Sequence, residues 1–389
     1  MKAVRHIARH AAWSVLFAAT AALAQQQPLK IGLVLPLSGP YASYGLQIGN
    51  GVKLYLTKNG DTIAGRKVEL IIRDDTGGAP EVTKRVATEL VTRDKVDVLA
   101  GFGLTPGAVA TAAVATQAKK PMIVMNAATQ GLTLKSPYIV RTSHSQPQLS
   151  EPIGTWAAKN GIDKAYTLVA DYAPGIDAAA AFKKTFTAAG KQLEGELRVP
   201  LQSPDFGPYI QRVKDAKPQG VFVFLPPGDA PIALMKAWSE RGLDQLGIKL
   251  LGTGDLVDES VVDAAGKAAL GTITSGEYST AHDSPQNKEF VAAYEKAYHI
   301  RPTYMAVAGY DGIAVMAAAL KKTNGDADGD KFMAAVKGLS LDSPRGPIRI
   351  DPDTRDIVQT VYIRRTELVN GKAEPVEIDK FPAVRDPGK

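Results

Sequence analysis

Short apolar runs alternate with longer helical stretches along most of this 389-residue chain. The first run, residues 31–35, is followed by Pro36 and Gly39, and its length suits a strand buried on both faces of a parallel sheet. This alternation of strands and helices predicts a mostly parallel sheet covered by helices on both faces. In the first part of the chain, the predicted strands cover residues 30–35, 67–73, 96–100 and 121–125, and the predicted helices cover residues 45–58, 80–93 and 105–118.

The same order begins again near residue 147. From residue 272 the pattern is less regular, and Asn370-Gly371 is typical of a hairpin turn between two late strands, which are predicted over residues 359–364 and 375–378. The chain is therefore predicted to be an α/β protein with two lobes of similar plan, and its length is sufficient for two domains. The predicted strands of the second lobe cover residues 164–170, 194–200, 220–225 and 249–251, with helices over residues 176–189, 209–217 and 232–241.

The first 24 residues contain the three parts of a secretory signal peptide. A basic segment precedes the apolar residues 11–23, which are too few to span a bilayer, and small residues fit a cleavage site before Gln25. A disordered basic N-terminus is the alternative interpretation. No later apolar run reaches membrane-spanning length, so we expect a soluble mature protein exported to the periplasm.

Composition excludes several classes of function. The chain has no cysteine, which removes thiol catalysis, zinc ribbons and iron–sulfur ligation. The formal charge of +6 includes three basic residues of the signal segment, which leaves +3, and the remaining charges are interspersed. No basic stripe is present that would indicate nucleic-acid binding. We expect no cofactor and no bound metal.

The sequence contains no arrangement typical of an enzyme. His144, His282 and His299 lack the spacing of metal ligands, and we expect them at the surface or in loops. The G-x-S-x-G elbow of serine hydrolases is absent, as are the glycine patterns of nucleotide-binding loops. Asp74-Asp75 could bind a metal or act as an acid pair, but the simpler interpretation is that they cap the loop after a strand. We therefore expect a protein that is not an enzyme.

Loops of similar chemistry follow six of the predicted strands. They are rich in small and hydroxyl residues, with some aromatics and acids, and small residues let a ligand approach the N–H groups of the following helix. Each loop alone could be merely a turn. Their recurrence in two lobes predicts a cleft that binds a small anionic molecule. The loops include residues 38–40, 103–105, 126–129, 171–172, 226–228 and 252–255.

Several segments, taken in order, resemble the periplasmic substrate-binding proteins of ABC importers, in the class that binds branched-chain amino acids. The resemblance extends from Leu29 to about Thr366. The segments that carry it are KIGLVLPLSGPYASYG, RKVELIIRDDTGGAPEVTKRVATELV, PMIVMNAATQGLT with YIVRTS, DYAPGIDAAAAFKKTFTAAG, and FVAAYEKAYHIRPTYMAVAGYDGIAVMAAAL.

The resemblance implies the periplasmic binding protein type 1 fold, in which two Rossmann-like lobes on a three-stranded hinge close around a ligand. With the signal peptide at residues 1–24, it places lobe one at residues 25–143 plus 276–351, and lobe two at residues 144–275 plus 352–389. It also implies a monomer that captures a small carboxylate-bearing solute, such as a branched-chain amino acid, and delivers it to a membrane ABC permease. A periplasmic sensory module using the same clamp is an alternative.

The resemblance further assigns residues to the ligand. Tyr44 matches an aromatic residue that packs on the ligand, and Thr105 matches a hydroxyl that takes the ligand carboxylate. Ala127 and Thr129 lie in the loop whose carbonyl and hydroxyl complete the amino-acid end. The full predicted set is Tyr44, Leu104, Thr105, Ala127, Ala128, Thr129, Tyr172 and Asp255.

Lobe two is where this sequence departs most from the family. Tyr172 lies in the loop that supplies an aromatic lid, and Asp255 lies close to the acid that pairs with an α-ammonium, but offset from it. Pro226-Pro227-Gly228 stands where many members have aromatics. The family's early disulfide is absent, and Thr76 and Leu104 lie in the two loops that it joins. These departures leave two ligand classes open, an amino acid or an aromatic carboxylate or amide.

Overall fold

Two separate sheets, covered by helices, make up the protein. The computed structural model describes residues 27–202 and 205–388, and the predicted signal peptide lies outside these residues. In this part of the chain, we find no helix whose length and apolarity together would suit it to cross a membrane.

The first sheet contains six strands. They are β1 (Leu29–Leu35), β2 (Thr62–Ile63), β3 (Arg66–Asp74), β4 (Val98–Gly101), β5 (Met122–Val124) and β6 (Ile139–Arg141). Their order across the sheet is β2-β3-β1-β4-β5-β6. Every pair from β3 to β6 is parallel, whereas the two-residue β2 is antiparallel to β3. The carboxyl ends of β1, β4 and β5 therefore lie at the same edge.

The second sheet contains nine strands. They are β7 (Lys164–Ala170), β8 (Gln192–Val199), β9 (Gly220–Phe224), β10 (Lys249–Thr253), β11 (Ile273–Gly276), β12 (Ser340–Ser343), β13 (Gly346–Ile350), β14 (Ile357–Val369) and β15 (Lys372–Val384). The order is β12-β13-β14-β11-β10-β9-β7-β8, and β15 also pairs with β14. Strands β7 to β11 are parallel, and the later strands are antiparallel to their neighbours.

Helices connect the parallel strands, as the alternation of the sequence predicted. The helices are α1 (Ala42–Asn59), α2 (Pro80–Thr92), α3 (Thr105–Ala118), α4 (Gln146–Lys159), α5 (Ala173–Ala188), α6 (Gly207–Ala216), α7 (Asp229–Glu240), α8 (Glu259–Ala265), α9 (Pro285–Tyr298), α10 (Tyr304–Lys322) and α11 (Gly329–Val336). The α/β class and the type 1 two-lobed plan are confirmed.

The parallel part of the second sheet is buried on both faces. Val221 and Val223 of β9 pack into one hydrophobic cluster, whereas Phe222 and Phe224 pack into another. Successive side chains of a strand point to opposite faces, so the continuous apolar run of β9 fills two cores at once. Residues distant in sequence build the core around the first sheet, because its cluster draws on residues 29–140 and again on 278–350.

The chain passes between these hydrophobic regions three times, after β6, after β11 and after β13. Strand β13 bonds to β14 of the second sheet, yet Ile350 packs into the cluster of the first. The third crossing is therefore shared by both lobes. The lobe boundaries near residues 143, 276 and 351 stay a prediction.

The antiparallel strands differ most from the sequence prediction. β2 and β12 were not predicted, and β14 and β15 are each 13 residues long, where strands over residues 359–364 and 375–378 were expected. The outer part of this hairpin carries charged residues such as Glu367 and Glu374, so no apolar run marks its length. The predicted turn at Asn370-Gly371 does join the two strands, with positive φ angles of 50° and 82°.

The two acids after β3 cap the loops at the edge of the first sheet. Asp74 accepts hydrogen bonds from the backbone N–H of Leu37 at 2.9 Å and of Thr76 at 2.8 Å. Asp75 accepts one from the N–H of Gly78 at 2.8 Å. These bonds confirm the loop-cap interpretation, and they tie the loop after β1 to the loop after β3.

Candidate ligand-binding site

The loops at the carboxyl ends of the parallel strands in the two sheets face each other across a narrow cleft. The enclosed space measures about 20 Å³, which is room for about one water molecule, so the structure has the cleft closed. Its lining residues come from the strand-end loops of both sheets, from the end of β9, and from the first turns of α1, α3, α4, α5 and α10. They are Tyr44, Gly103, Leu104, Thr105, Asn126, Ala127, Ala128, Gln146, Tyr172, Pro174, Phe224, Pro226, Pro227, Asp255 and Tyr304.

One side of the cleft, which we call the main-chain wall, consists of residues 103–105 and 126–128. A Cβ added to Gly103 would lie 2.7 Å from the Pro36 ring, so a glycine is needed for this close approach. Thr105 begins α3, and no side chain caps the first turn of that helix. Its unbonded N–H groups and the helix dipole both favour an anion at this position. The wall therefore offers N–H groups and the Thr105 hydroxyl.

Arg141, the last residue of β6, lies fully buried behind the main-chain wall. Its Nη1 donates to the carbonyl oxygens of Ala127 at 3.2 Å and Thr129 at 2.8 Å, and its Nε donates to Asp356 at 2.6 Å. The guanidinium thus fixes two peptide groups of the loop. Sequence reasoning missed this residue, and the available signal was one charged residue closing the apolar stretch 138–141.

The Thr129 hydroxyl faces the other lobe. It donates to the Asp177 carboxylate of α5 at 2.5 Å, and the Gln130 N–H donates to the same oxygen at 2.9 Å. Thr129 is predicted to bind the ligand with its hydroxyl, but in the closed cleft this hydroxyl is occupied by Asp177. The pair instead bonds one lobe to the other, a role that the sequence pattern did not indicate for Asp177.

The opposite side, which we call the side-chain wall, is mostly aromatic and apolar. It is formed by Tyr172, Phe224, Pro226, Pro227 and Asp255. The rings of Tyr172 and Phe224 are stacked with centroids 6.0 Å apart. From the first lobe, the Tyr44 hydroxyl donates across the cleft to the Pro227 carbonyl at 3.0 Å. Burial raises the pKa of Tyr44 and Tyr172 well above the usual range, so both rings keep their protons.

Asp255 is the buried acid of the side-chain wall, 4% exposed. Its carboxylate accepts three hydrogen bonds from neutral groups, the hydroxyls of Thr253 at 2.7 Å and Tyr304 at 2.9 Å and the side-chain amide of Gln146 at 3.1 Å. Tyr304 begins α10 of the first lobe, so this carboxylate also joins the lobes. Burial, and then the charge of Asp255, raise the pKa of Tyr304 well above the usual range.

A buried ion pair lies beyond Gln146. His144 was expected at the surface or in a loop; it does lie in the loop between β6 and α4, but it is buried, 1% exposed, and its Nδ1 lies 2.8 Å from Glu277. Burial alone would raise the pKa of Glu277, but the interaction with His144 lowers it to about 2. Burial likewise opposes protonation of His144, and Glu277 outweighs it and raises the pKa of His144. The imidazole also packs edge-on to Tyr304 at 5.3 Å.

The structure brings together seven of the eight residues predicted to bind ligand, because all except Thr129 line the cleft. Their contact with a ligand stays a prediction. The sequence pattern missed Gln146, Phe224 and Tyr304, which reach the cleft from a crossing segment, a strand end and a distant helix. Within residues 27–202 and 205–388, no group of three or more histidine or acidic side chains is placed to hold a metal ion.

The strand-end loops of the two lobes enclose a buried cleft between them, and this arrangement is typical of a two-lobed binding protein. The periplasmic binding protein family matches residues 28–373, and the chain belongs to this family. It is a solute-binding protein of the ABC transporter type. The family implies a periplasmic location and a membrane permease as partner.

Three relatives illustrate the range of the family. Leu/Ile/Val-binding protein homolog 6 of Brucella melitensis is 40% identical over 376 residues, which are 96% of each chain. A solute-binding protein of an ABC transporter from Rhodopseudomonas palustris BisB5, solved with 3,4-dihydroxybenzoic acid, is 55% identical, with a TM-score of 0.90 over 93% of this chain and 99% of that one. Another from the HaA2 strain, solved with p-hydroxybenzoic acid, is 41% identical, with a TM-score of 0.90 over 93% and 98%.

Proposed function

We propose that this protein captures a benzoate-type carboxylate with a ring hydroxyl and delivers it to an ABC permease. The observation that carries this proposal is the environment of Asp255. Its carboxylate already accepts three neutral hydrogen bonds, and a carboxylate has about four acceptor positions. One position remains for a phenolic hydroxyl, whereas an α-ammonium would bring three N–H donors.

The ligand carboxylate would lie against the main-chain wall. The Thr105 hydroxyl, the open first turn of α3 and the N–H of Ala128 would hold it without an arginine in contact. The ring would pack against Tyr44, Tyr172 and Phe224, whose faces provide large apolar area. Leu104 would complete this side, and Thr129 would act through its bond to Asp177.

The Rhodopseudomonas relatives solved with hydroxylated benzoic acids support this ligand class. A branched-chain amino acid is the second candidate. It is favoured by the buried charge of Asp255, which could pair with an ammonium, and by the Brucella relative described as Leu/Ile/Val-binding.

We also propose the processing, location, oligomeric state and lobe boundaries of the protein. The signal peptide is removed before Gln25, and the mature chain acts in the periplasm as a monomer that binds without turnover. Residues 25–143 with 276–351 form one lobe, and residues 144–275 with 352–389 form the other. A receptor in place of the permease would make the protein a sensory module, and a permease gene beside its own would favour transport.

Thermal unfolding with four candidate ligands tests the proposal. At a ligand concentration of 100 times Kd, a specific ligand adds about 2.7 kcal/mol to the free energy of unfolding. We expect 4-hydroxybenzoate and 3,4-dihydroxybenzoate to raise Tm most, benzoate to raise it less, and leucine to leave it unchanged. A rise with leucine and none with the hydroxylated benzoates would replace the proposal with the amino-acid candidate.

A further inference from the structure

The C-terminal tail, residues 385–388 after β15, packs behind the main-chain wall. Asp386 is 7% exposed, and its Oδ2 accepts a hydrogen bond from Arg141 Nη2 at 3.4 Å. The N–H of Gly388 donates to Asp386 Oδ1 at 2.8 Å, and the Gly388 carbonyl accepts a hydrogen bond from the Gln130 side chain. The tail thus meets Gln130 and Arg141, which lie 258 and 245 positions earlier in the chain than their partners, beside the binding loop.

Arg141 transmits this contact to the cleft. One side of its guanidinium bonds the carboxylates of Asp356 and Asp386, and Nη1 bonds the carbonyls of Ala127 and Thr129. Arginine presents its donors in a fixed planar fork, so carboxylates on one side set the direction of the donor on the other. The tail therefore helps to define where the two carbonyls of the loop point.

The direction of these carbonyls fixes the direction of two N–H groups. In a trans peptide, the N–H of the next residue points away from the carbonyl. Because Arg141 holds the Ala127 carbonyl away from the cleft, the Ala128 N–H is directed towards the cleft, which Ala128 lines. Because Arg141 also holds the Thr129 carbonyl, the Gln130 N–H is directed the opposite way, towards the other lobe, where it donates to Asp177. The Ala128 N–H can therefore donate to a ligand, and the Gln130 N–H stabilises the closed cleft.

We propose that the C-terminal tail is part of the binding apparatus, and that Asp386 is a positioning residue that acts through Arg141 on the loop of residues 127–130. It holds the peptide groups of this loop in the binding orientation before the ligand binds, and thereby increases the affinity for the ligand. The proposal uses the proposed function only for the choice of the ligand in the test.

The test compares Asp386→Ala with Asp353→Ala, a matched loss of a carboxylate whose side chain is 83% exposed beside the tail. Hydrogen exchange of a peptide covering residues 126–133 is measured in the ligand-free protein, and the Kd of 4-hydroxybenzoate by calorimetry. We expect Asp386→Ala to speed exchange and to raise Kd about tenfold each, as loss of one charge-assisted hydrogen bond would do. Asp386→Glu should restore both values, and Asp353→Ala should change neither.

Equal exchange and equal Kd in Asp386→Ala and Asp353→Ala would overturn the proposal. A lower Tm for Asp386→Ala with unchanged Kd and loop exchange would also overturn it, because the tail would then only stabilise the fold. If the unaltered protein does not bind 4-hydroxybenzoate, the proposed function fails. The exchange experiment needs no ligand, so it still decides whether the tail holds the loop.

Discussion

The two walls of the cleft differ in the groups that they present. The main-chain wall presents peptide N–H groups and one hydroxyl on small residues, whereas the side-chain wall presents aromatic rings and the buried Asp255. Peptide groups at a helix N-terminus favour an anion of almost any kind. Side chains discriminate more sharply, because a buried polar group left without its partner is costly. We therefore expect the main-chain wall to hold the ligand carboxylate and the side-chain wall to select the ligand.

The walls also differ in what supports them. Behind the main-chain wall lies a compact ionic cluster in which Arg141 pairs with Asp356 and Asp386. Behind the side-chain wall lie acids with different partners, including Asp258 and Glu259. Burial raises the pKa of Asp258 to about 6 and that of Glu259 to about 7. Loss of Arg141 from the first support should lower stability, whereas the second support should make stability depend on pH.

The largest effect is expected from Arg141→Leu. This change leaves the carboxylates of Asp356 and Asp386 buried without their cation, and breaking such a cluster costs about 3–5 kcal/mol. Urea unfolding measures the loss of stability. Arg85→Leu is the control, because the Arg85 side chain is 60% exposed and its helical pair with Glu89 contributes at most about 0.5 kcal/mol. Equal losses in the two variants would refute a supporting role for Arg141.

A smaller and selective effect is expected from Asp255→Asn. This change should weaken the binding of 4-hydroxybenzoate by about 1.5–3 kcal/mol, because a hydrogen bond to a charged group is lost. The binding of benzoate should be nearly unchanged. Calorimetry of the two ligands measures the difference. Asp171→Asn, whose carboxylate is 55% exposed at the neighbouring strand end, should alter neither affinity. Equal weakening of both ligands would mean that Asp255 does not recognise the ring hydroxyl, and the two walls would not divide the work as described.

The smallest effect is a pH dependence of stability that belongs to the side-chain wall. The folded pKa of Glu259, about 7, lies above its ordinary value of 4.5, so between these values the folded state keeps a proton that the unfolded state releases. The contribution of Glu259 to the free energy of unfolding is fully present below about pH 4.5 and is lost as the pH rises through about 7. The raised pKa of His144 acts in the same direction.

Unfolding at pH 5.5 and pH 8 measures this dependence. We expect the free energy of unfolding to fall with rising pH, and Glu259→Gln to reduce the fall by about 1–2 kcal/mol. The amide can still accept the hydrogen bond that the Thr280 N–H donates to Glu259 at 3.0 Å. Glu289→Gln, on a side chain 71% exposed, should leave the slope as it is. A slope unchanged by Glu259→Gln would remove this group as its source.

The sequence predicted the main-chain wall well for a physical reason. Each of its loops directly follows a short apolar strand, and in a parallel sheet all such loops meet at one edge. Thr105, Ala127 and Ala128 were therefore placed by local pattern, and the family resemblance supplied their roles. The same logic placed Tyr172 and Asp255 at the facing edge.

Residues brought in by distant segments could not be predicted in this way. Tyr304 begins a helix that follows the second crossing, and Asp386 lies in the terminal tail, yet both reach the cleft region through tertiary packing. Local periodicity carries no information on such contacts. The Thr129 hydroxyl shows the same limit, because its partner Asp177 belongs to a helix of the other lobe.

The most direct test of the account is the identity of the small molecule that the purified protein retains. Mass spectrometry of the ligand released by denaturation gives this identity without choosing candidates beforehand. We expect a benzoic acid with at least one ring hydroxyl, held by its carboxylate at the main-chain wall and selected at the side-chain wall. Release of leucine, isoleucine or valine would contradict it, and would make Asp255 the partner of an ammonium group.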